Sequence, residues 1–170
     1  MTIQNPILNT DAYKLTHHLE YPDGLQKLYS YAEARKGGRF PRINFFGLQM
    51  IIHDHFLTPI TNEMIDEAER ISELTFGTKY YFNRPVWEKV RDLGYWPIKI
   101  KSLPEGSIVP EGTALFTLES TEPWFATTLN ALETILMHVW YPTTVATNDY
   151  YIKKMLTPFY ENSGDIANLP

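Results

Sequence analysis

The sequence predicts an α+β fold, an antiparallel sheet flanked by helices, and three observations lead there. Phe45 to Phe56 and Ile60 to Leu74 space their apolar residues at the helical period. Ile98 to Lys101 and Ala114 to Glu119 alternate apolar with polar residues, as strands packed on one face do. Between these two strands Pro-Glu-Gly occurs twice, at 104 to 106 and at 110 to 112, and each copy marks a turn. The stretch from Pro97 to Glu119 therefore reads as a compact antiparallel β-unit.

Taken in chain order, Asp11 is placed to cap a helix starting near Ala12. Leu28 to Glu33 alternates large residues with small or polar ones, which suits a short strand, and Arg35 then sits just past its end. In the first long helix Leu48, Ile51, Ile52 and His55 share one face. Thr61 and Asn62 offer an N-cap for the second, where Met64, Ile65, Ala68 and Ile71 form a stripe opposite Glu63, Glu67 and Glu69. Thr121 and Pro123 open a third helix to about Trp140, since proline is tolerated in a first turn. Pro142 is expected to end it, with His138 held inside the core. Thr144 to Leu156 then forms a last helix before Pro158.

The 170 residues fit one ordinary domain, with 1–120 as an amino-terminal α+β part and 121–170 as further helices leading on from it, the whole a single compact unit. Apolar residues make up 44% of the chain and aromatics 14%, enough hydrophobic surface to offset the entropy of ordering. A net charge of −5 leaves no electrostatic footprint for nucleic acid. The basic run Arg35 to Arg42, with two central glycines, reads as a solvated loop, or in the alternative as a phosphate-contacting one. Without cysteine there is no disulfide, no thiolate ligand and no cysteine nucleophile. The amino-terminal stretch lacks a secretory pattern, and no window approaches the roughly 20 apolar residues of a membrane span, so the expected location is cytoplasmic.

The histidines do not form a metal site. His53 and His55, two apart in a helix, stand about 200° apart around its axis, and His17 and His18 diverge as neighbours. No GxGxxG, GxxxxGK[ST] or GxSxG pattern occurs, so neither a nucleotide cradle nor a serine nucleophile is indicated.

Several blocks stand in collinear order across residues 5–165: TDAYKLTH at Thr10 to His17, EYPDGLQKLYSYAEAR ending at Arg35, FFGLQMII, PIKIKSLPEGSIVPEGTALFTLESTEP, and NALETILMHVWYPTTVATN. Together they resemble the amino-terminal portion of nicotinamide phosphoribosyltransferases, within the nicotinate and quinolinate phosphoribosyltransferase superfamily. The resemblance implies a hammerhead-like antiparallel sheet flanked by helices, with the last helices leading toward an α/β barrel absent from this chain. It also implies the joining of nicotinamide to phosphoribosyl pyrophosphate, giving nicotinamide mononucleotide and pyrophosphate for NAD salvage, in a homo-oligomer. Mg²⁺ at the pyrophosphate and ATP acting through a phosphohistidine are implied as cofactors, with sites outside this chain.

Three substrate-binding residues carry over. Tyr13 matches a tyrosine that crosses the dimer interface to stack on the pyridine ring, Arg35 an arginine near the phosphates, and Asp11 a neighbour in the same block. No catalytic residue does, because the family's HDFG-x-RG segment belongs beyond Pro170. The chain departs from the family at Asp149 and Tyr150, where a serine-arginine pair is usual. The expectation is a part incompetent alone, requiring a missing barrel half or second subunit. A non-catalytic dimerisation module and a nicotinate-specific fragment are the alternatives. Removal of the barrel is expected to leave the apolar face of Leu129 to Val139 exposed and to drive self-association.

Overall fold

A computed structural model describes residues 5–163. The five strands are β1 (Tyr29–Glu33), β2 (Arg42–Asn44), β3 (Ile98–Ser102), β4 (Ile108–Pro110) and β5 (Ala114–Ser120). The α-helices are α1 (Leu48–Phe56), α2 (Asn62–Phe76), α3 (Arg84–Leu93), α4 (Glu133–Met137) and α5 (Trp140–Ser163). Short 3₁₀ turns occupy Ala12–Leu15, His17–Leu19 and Lys79–Tyr81, and a longer 3₁₀ spiral runs over Pro123–Leu132. The α+β expectation is borne out.

β5 forms the centre of a three-stranded antiparallel sheet in the order β1-β5-β3. Leu118 faces Ser30 on one side and Ile100 on the other, while Thr117 faces Tyr31 and Lys101. Residue alternation thus divides the sheet: Ala32, Phe116 and Leu118 are buried, whereas Tyr29, Tyr31, Lys99 and Lys101 are exposed. In β1 the packed side is the small one and the tyrosines lie in solvent. The Pro97–Glu119 unit is not closed on itself, because β4 leaves β3 and β5 to pair with β2 in a separate two-stranded sheet.

The helices have local causes. The Thr61 hydroxyl accepts the Met64 amide at 3.3 Å to start α2, and Gly77, at φ 73°, ends it. The sequence reading did not single out α3, which begins with a proline in its first turn, ends at Gly94 and buries Val86, Trp87 and Val90. Arg84 binds α3 to α2, donating to Asp66 at 2.8 Å, Glu69 at 3.2 Å and Glu88 at 2.8 Å. Trp87 meets Trp96 and Phe125 edge-on, so α3, the start of β3 and the 3₁₀ spiral share one core.

The expected helix from Thr121 to Trp140 is corrected in three ways. Its first ten residues form the 3₁₀ spiral, with Phe125, Thr128 and Ala131 in one buried column, Ala126, Leu129 and Leu132 in a second, and Trp124, Thr127 and Asn130 in a less buried third. Three residues per turn stack i over i+3, which suits this burial repeat. The chain breaks at His138 and Val139, and Pro142 falls in the first turn of α5 instead of ending a helix, at a position where its missing donor costs nothing. α5 then continues through Pro158. His138, expected inside, is exposed, because Ile135, Leu136 and Val139 take the core positions around it.

The face from Leu129 to Val139, expected to be bare, is instead filled: Leu129, Leu132, Ile135, Leu136 and Val139 are all buried against the sheet and α1. Exposed apolar side chains lie on α5, at Tyr141, Val145, Ile152, Met155 and Phe159. The first half of α5 is held by buried threonines. Thr147 Oγ1 accepts the Asn44 amide at 3.0 Å, and Thr143 Oγ1 donates to the Phe46 carbonyl at 2.9 Å.

Gly47, just ahead of α1, is required twice over. Its φ is 103°, and a Cβ there would lie 2.3 Å from Cγ of Pro142. Gly47→Ala is expected to cost about 2–4 kcal/mol by urea unfolding, from left-handed strain plus overpacking. Gly24, at φ 79° with open space around it, should cost only about 1 kcal/mol on the same change. Equal losses at the two positions would refute the steric argument.

Candidate functional site

The TDAYKLTH block folds as two consecutive 3₁₀ turns. Asp11 does not cap the first of them with its side chain. Its carboxylate instead lies 3.0 Å from the Lys14 ammonium and accepts the Thr134 hydroxyl at 2.8 Å. Lys14 is buried, donates to Thr134 Oγ1 at 3.0 Å and stands 3.4 Å from Glu133. Residues three apart eclipse in a 3₁₀ turn, so Asp11 and Lys14 meet without bending the backbone. The buried lysine thereby fastens the turn to α4. Between these two residues Tyr13 is left 58% exposed, its ring 5.2 Å from that of His17.

The Lys14 hydrogen bond, and then the Thr134 hydroxyl, hold the Asp11 carboxyl below its usual range. Burial pulls the Lys14 ammonium down, but the Asp11 hydrogen bond and the Glu133 charge outweigh it and leave the group raised. His18, whose Nδ1 lies 2.9 Å from the Leu15 carbonyl, is pushed down by burial.

Arg35 stands elsewhere. It lines a cleft of about 480 Å³ between the end of β1, the 36–41 turn and α5, together with Arg39, Phe40, Glu111, Trp140 and Thr144 among others. Arg35 is exposed and, among the described residues, makes no ion pair or hydrogen bond. Neither Tyr13 nor Asp11 lines this cleft. A small hollow of about 30 Å³ lies between the two places, sharing Ala32 and Met137 with the cleft and Glu133 with the Lys14 cluster. Within one chain the carried-over residues therefore occupy two neighbouring places.

The sequence reading missed Lys14, Thr134 and Glu111. A lysine three residues after an aspartate was the available sign for the first. Nothing local marked the other two, whose partners lie more than seventy residues away in the chain. Asp149 and Tyr150, where the resemblance leads us to expect a serine-arginine pair, lie on α5 beside Asn148, which lines the cleft. His53 pairs with Asp54 at 3.1 Å, and among the described residues no three His, Asp or Glu side chains gather as metal ligands.

The family described as nicotinamide phosphoribosyltransferase, N-terminal domain, matches residues 5–100. The chain belongs to this family. It is 38% identical over 165 residues to the nicotinamide phosphoribosyltransferase of Xanthomonas campestris pv. campestris (strain 8004), covering 96% of this chain and 34% of that one. It is 31% identical over 177 residues to the nicotinamide phosphoribosyltransferase of Acinetobacter baylyi, covering 94% and 35%. The chain thus spans about a third of the length of the curated relatives it matches.

The Asp11 cluster gives a pH test. Because its folded carboxyl binds a proton less readily than an unfolded aspartate, the stabilisation it supplies is whole above about pH 4 and is lost as pH falls through the lowered folded value. Asp11→Asn should flatten the acid limb of stability against pH, read as urea midpoints from about pH 2 to 6. An unchanged acid limb would remove Asp11 from the account.

Proposed function

We propose that this chain serves as the amino-terminal part of a nicotinamide phosphoribosyltransferase, one that joins nicotinamide to phosphoribosyl pyrophosphate and is incompetent by itself. The observation that carries the reading is Arg35, an unpaired guanidinium on the wall of a large cleft in a chain of this family. When the bond between the ribose carbon and pyrophosphate breaks, negative charge grows on the departing oxygens. A planar fork that bonds two of them at once stabilises that charge.

The exposed ring of Tyr13 is suited to stack on the pyridine ring of the base, on a turn that Lys14 and Asp11 hold in place. Because Tyr13 lies outside the Arg35 cleft, we assign its ring to a site completed by a second copy of the chain. The polypeptide that makes up the other two thirds of the relatives would supply the remainder. Mg²⁺ and ATP belong to the family's chemistry, but the described residues offer no clustered donor set for a metal, so no step is assigned to either. We place the protein in the cytoplasm; no described helix is long and apolar enough to cross a membrane.

One observation favours a second reading, a non-catalytic interaction module: the apolar stripe of Val145, Ile152, Met155 and Phe159 on α5. A single experiment separates the two. Mixed with a polypeptide carrying the remaining two thirds of the Xanthomonas relative, the chain is expected to yield nicotinamide mononucleotide, and alone to yield none. In the mixture Arg35→Ala should lower turnover about 10²- to 10³-fold. Tyr13→Ala should raise the KM for nicotinamide about two- to tenfold. Turnover by the isolated chain would sink the proposal, and binding without turnover would favour the module. Offering nicotinate beside nicotinamide settles which base the pair prefers.

A further inference from the structure

The basic run Arg35 to Arg42 is more than a solvated loop. At its centre the Gly37 amide donates to Glu111 Oε2 at 3.0 Å and the Gly38 amide to Glu111 Oε1 at 2.8 Å, one carboxylate oxygen for each. Gly37 has a φ of 89°, which a residue with a side chain rarely adopts and which helps turn the two amides toward a common point. Two successive backbone N–H groups converging in this way form an anion-binding concavity.

Two guanidiniums share the cleft with Glu111 and with a second carboxylate, Glu33, so what marks the place is unpaired arginine beside the amides and not an excess of positive charge. Arg35, Gly38, Arg39 and Glu111 line the same cleft. Among the described residues Arg35 has no polar partner and Arg39 only rests over the Phe40 ring at 5.1 Å. Arg42 is engaged elsewhere, donating to the Ile108 carbonyl at 2.8 Å. A clasp serving only to close a loop needs two amides and one carboxylate. It does not need two unpaired guanidiniums on the same wall.

The geometry points to an oxyanion site whose amide floor is filled, in the free chain, by the chain's own Glu111. An incoming pyrophosphate-class ligand displaces the carboxylate, takes the two amides and is held on its outer oxygens by Arg35 and Arg39. Glu111 is then a built-in competitor that sets how tightly such a ligand is held. This rests on the reading of Arg35 as a phosphate contact and adds to it the amide floor and the competitor.

The test uses the 170-residue chain and inorganic pyrophosphate, followed by calorimetry at low salt. Glu111→Gln leaves one acceptor facing two donors and removes the competing charge, so binding should tighten about tenfold or more. Gly38→Ala in that background should abolish the gain, because the new Cβ would stand 2.7 Å from the place of the carboxylate oxygen. Arg35→Ala in the same background should also weaken binding.

If Glu111→Gln binds pyrophosphate no better than the wild type, the inference is overturned, whatever Arg35 does. If Arg35→Ala changes nothing while Gly38→Ala still abolishes the gain, the amide site stands and the phosphate role of Arg35 falls. Should Glu111→Gln loosen the loop, the wild-type chain labelled with ¹⁵N-glycine answers instead. Saturable shifts of the Gly37 and Gly38 amides with pyrophosphate support the site, and their absence overturns it.

Discussion

β5 is the constraint to which the rest of the structure answers. Among the described strands it alone is paired along both edges, and it buries Phe116 and Leu118 on the side away from solvent. Each such side chain contributes roughly 1.5–3 kcal/mol by leaving water. Because residues alternate across a sheet, this one commitment decides which faces of β1 and β3 are dry. It also fixes the two ends from which the candidate sites grow. β1 runs out beside the start of β5 and delivers Arg35 to the cleft. At the other end the Ser120 amide reaches the Leu28 carbonyl at 3.2 Å, and the chain turns into the 3₁₀ spiral that covers the sheet.

The two Pro-Glu-Gly turns feeding β4 and β5 share a second logic. Each glutamate receives backbone amides that no ladder could satisfy. Glu105 Oε1 accepts from Gly47 at 3.1 Å and from Gln49 at 2.8 Å, at the start of α1, where free N–H groups and the helix dipole both favour an anion. Glu111 does the same for the glycine turn after β1. The surroundings differ. The carboxylate of Glu105 lies at a helix start where Gly47 meets Pro142, whereas that of Glu111 opens on a cleft with unpaired cations.

Much of this was legible in the sequence. Period-two alternation located β3 and β5, and the helical spacing of Leu48, Ile51 and Ile52 located α1, because burial on one face leaves that imprint directly. Thr61 announced the start of α2 through its own hydroxyl. What escaped depended on distance or on competing geometry. Arg84 and the glycine at 94 bound α3, but its apolar content is carried by only three buried residues and its stability comes from α2 across the gap. Pro142 was read as a stop because sequence does not say which residue begins a helix. Asp11 looked like a cap because the partner that claims it, Lys14, is a residue type seldom found buried.

The 3₁₀ spiral Pro123–Leu132 carries a consequence for how this region can vary. Its two buried columns and one outer column repeat every three residues, so shifting the chain by a single residue turns the spiral by a third of a revolution. Thr127 and Asn130 would then move into a column meant for Leu129 or Ala131. An ordinary surface helix has a broad apolar stripe that tolerates some drift, but here a one-residue insertion or deletion acts as a register slip does in a strand. Length changes in this stretch should be tolerated only in threes.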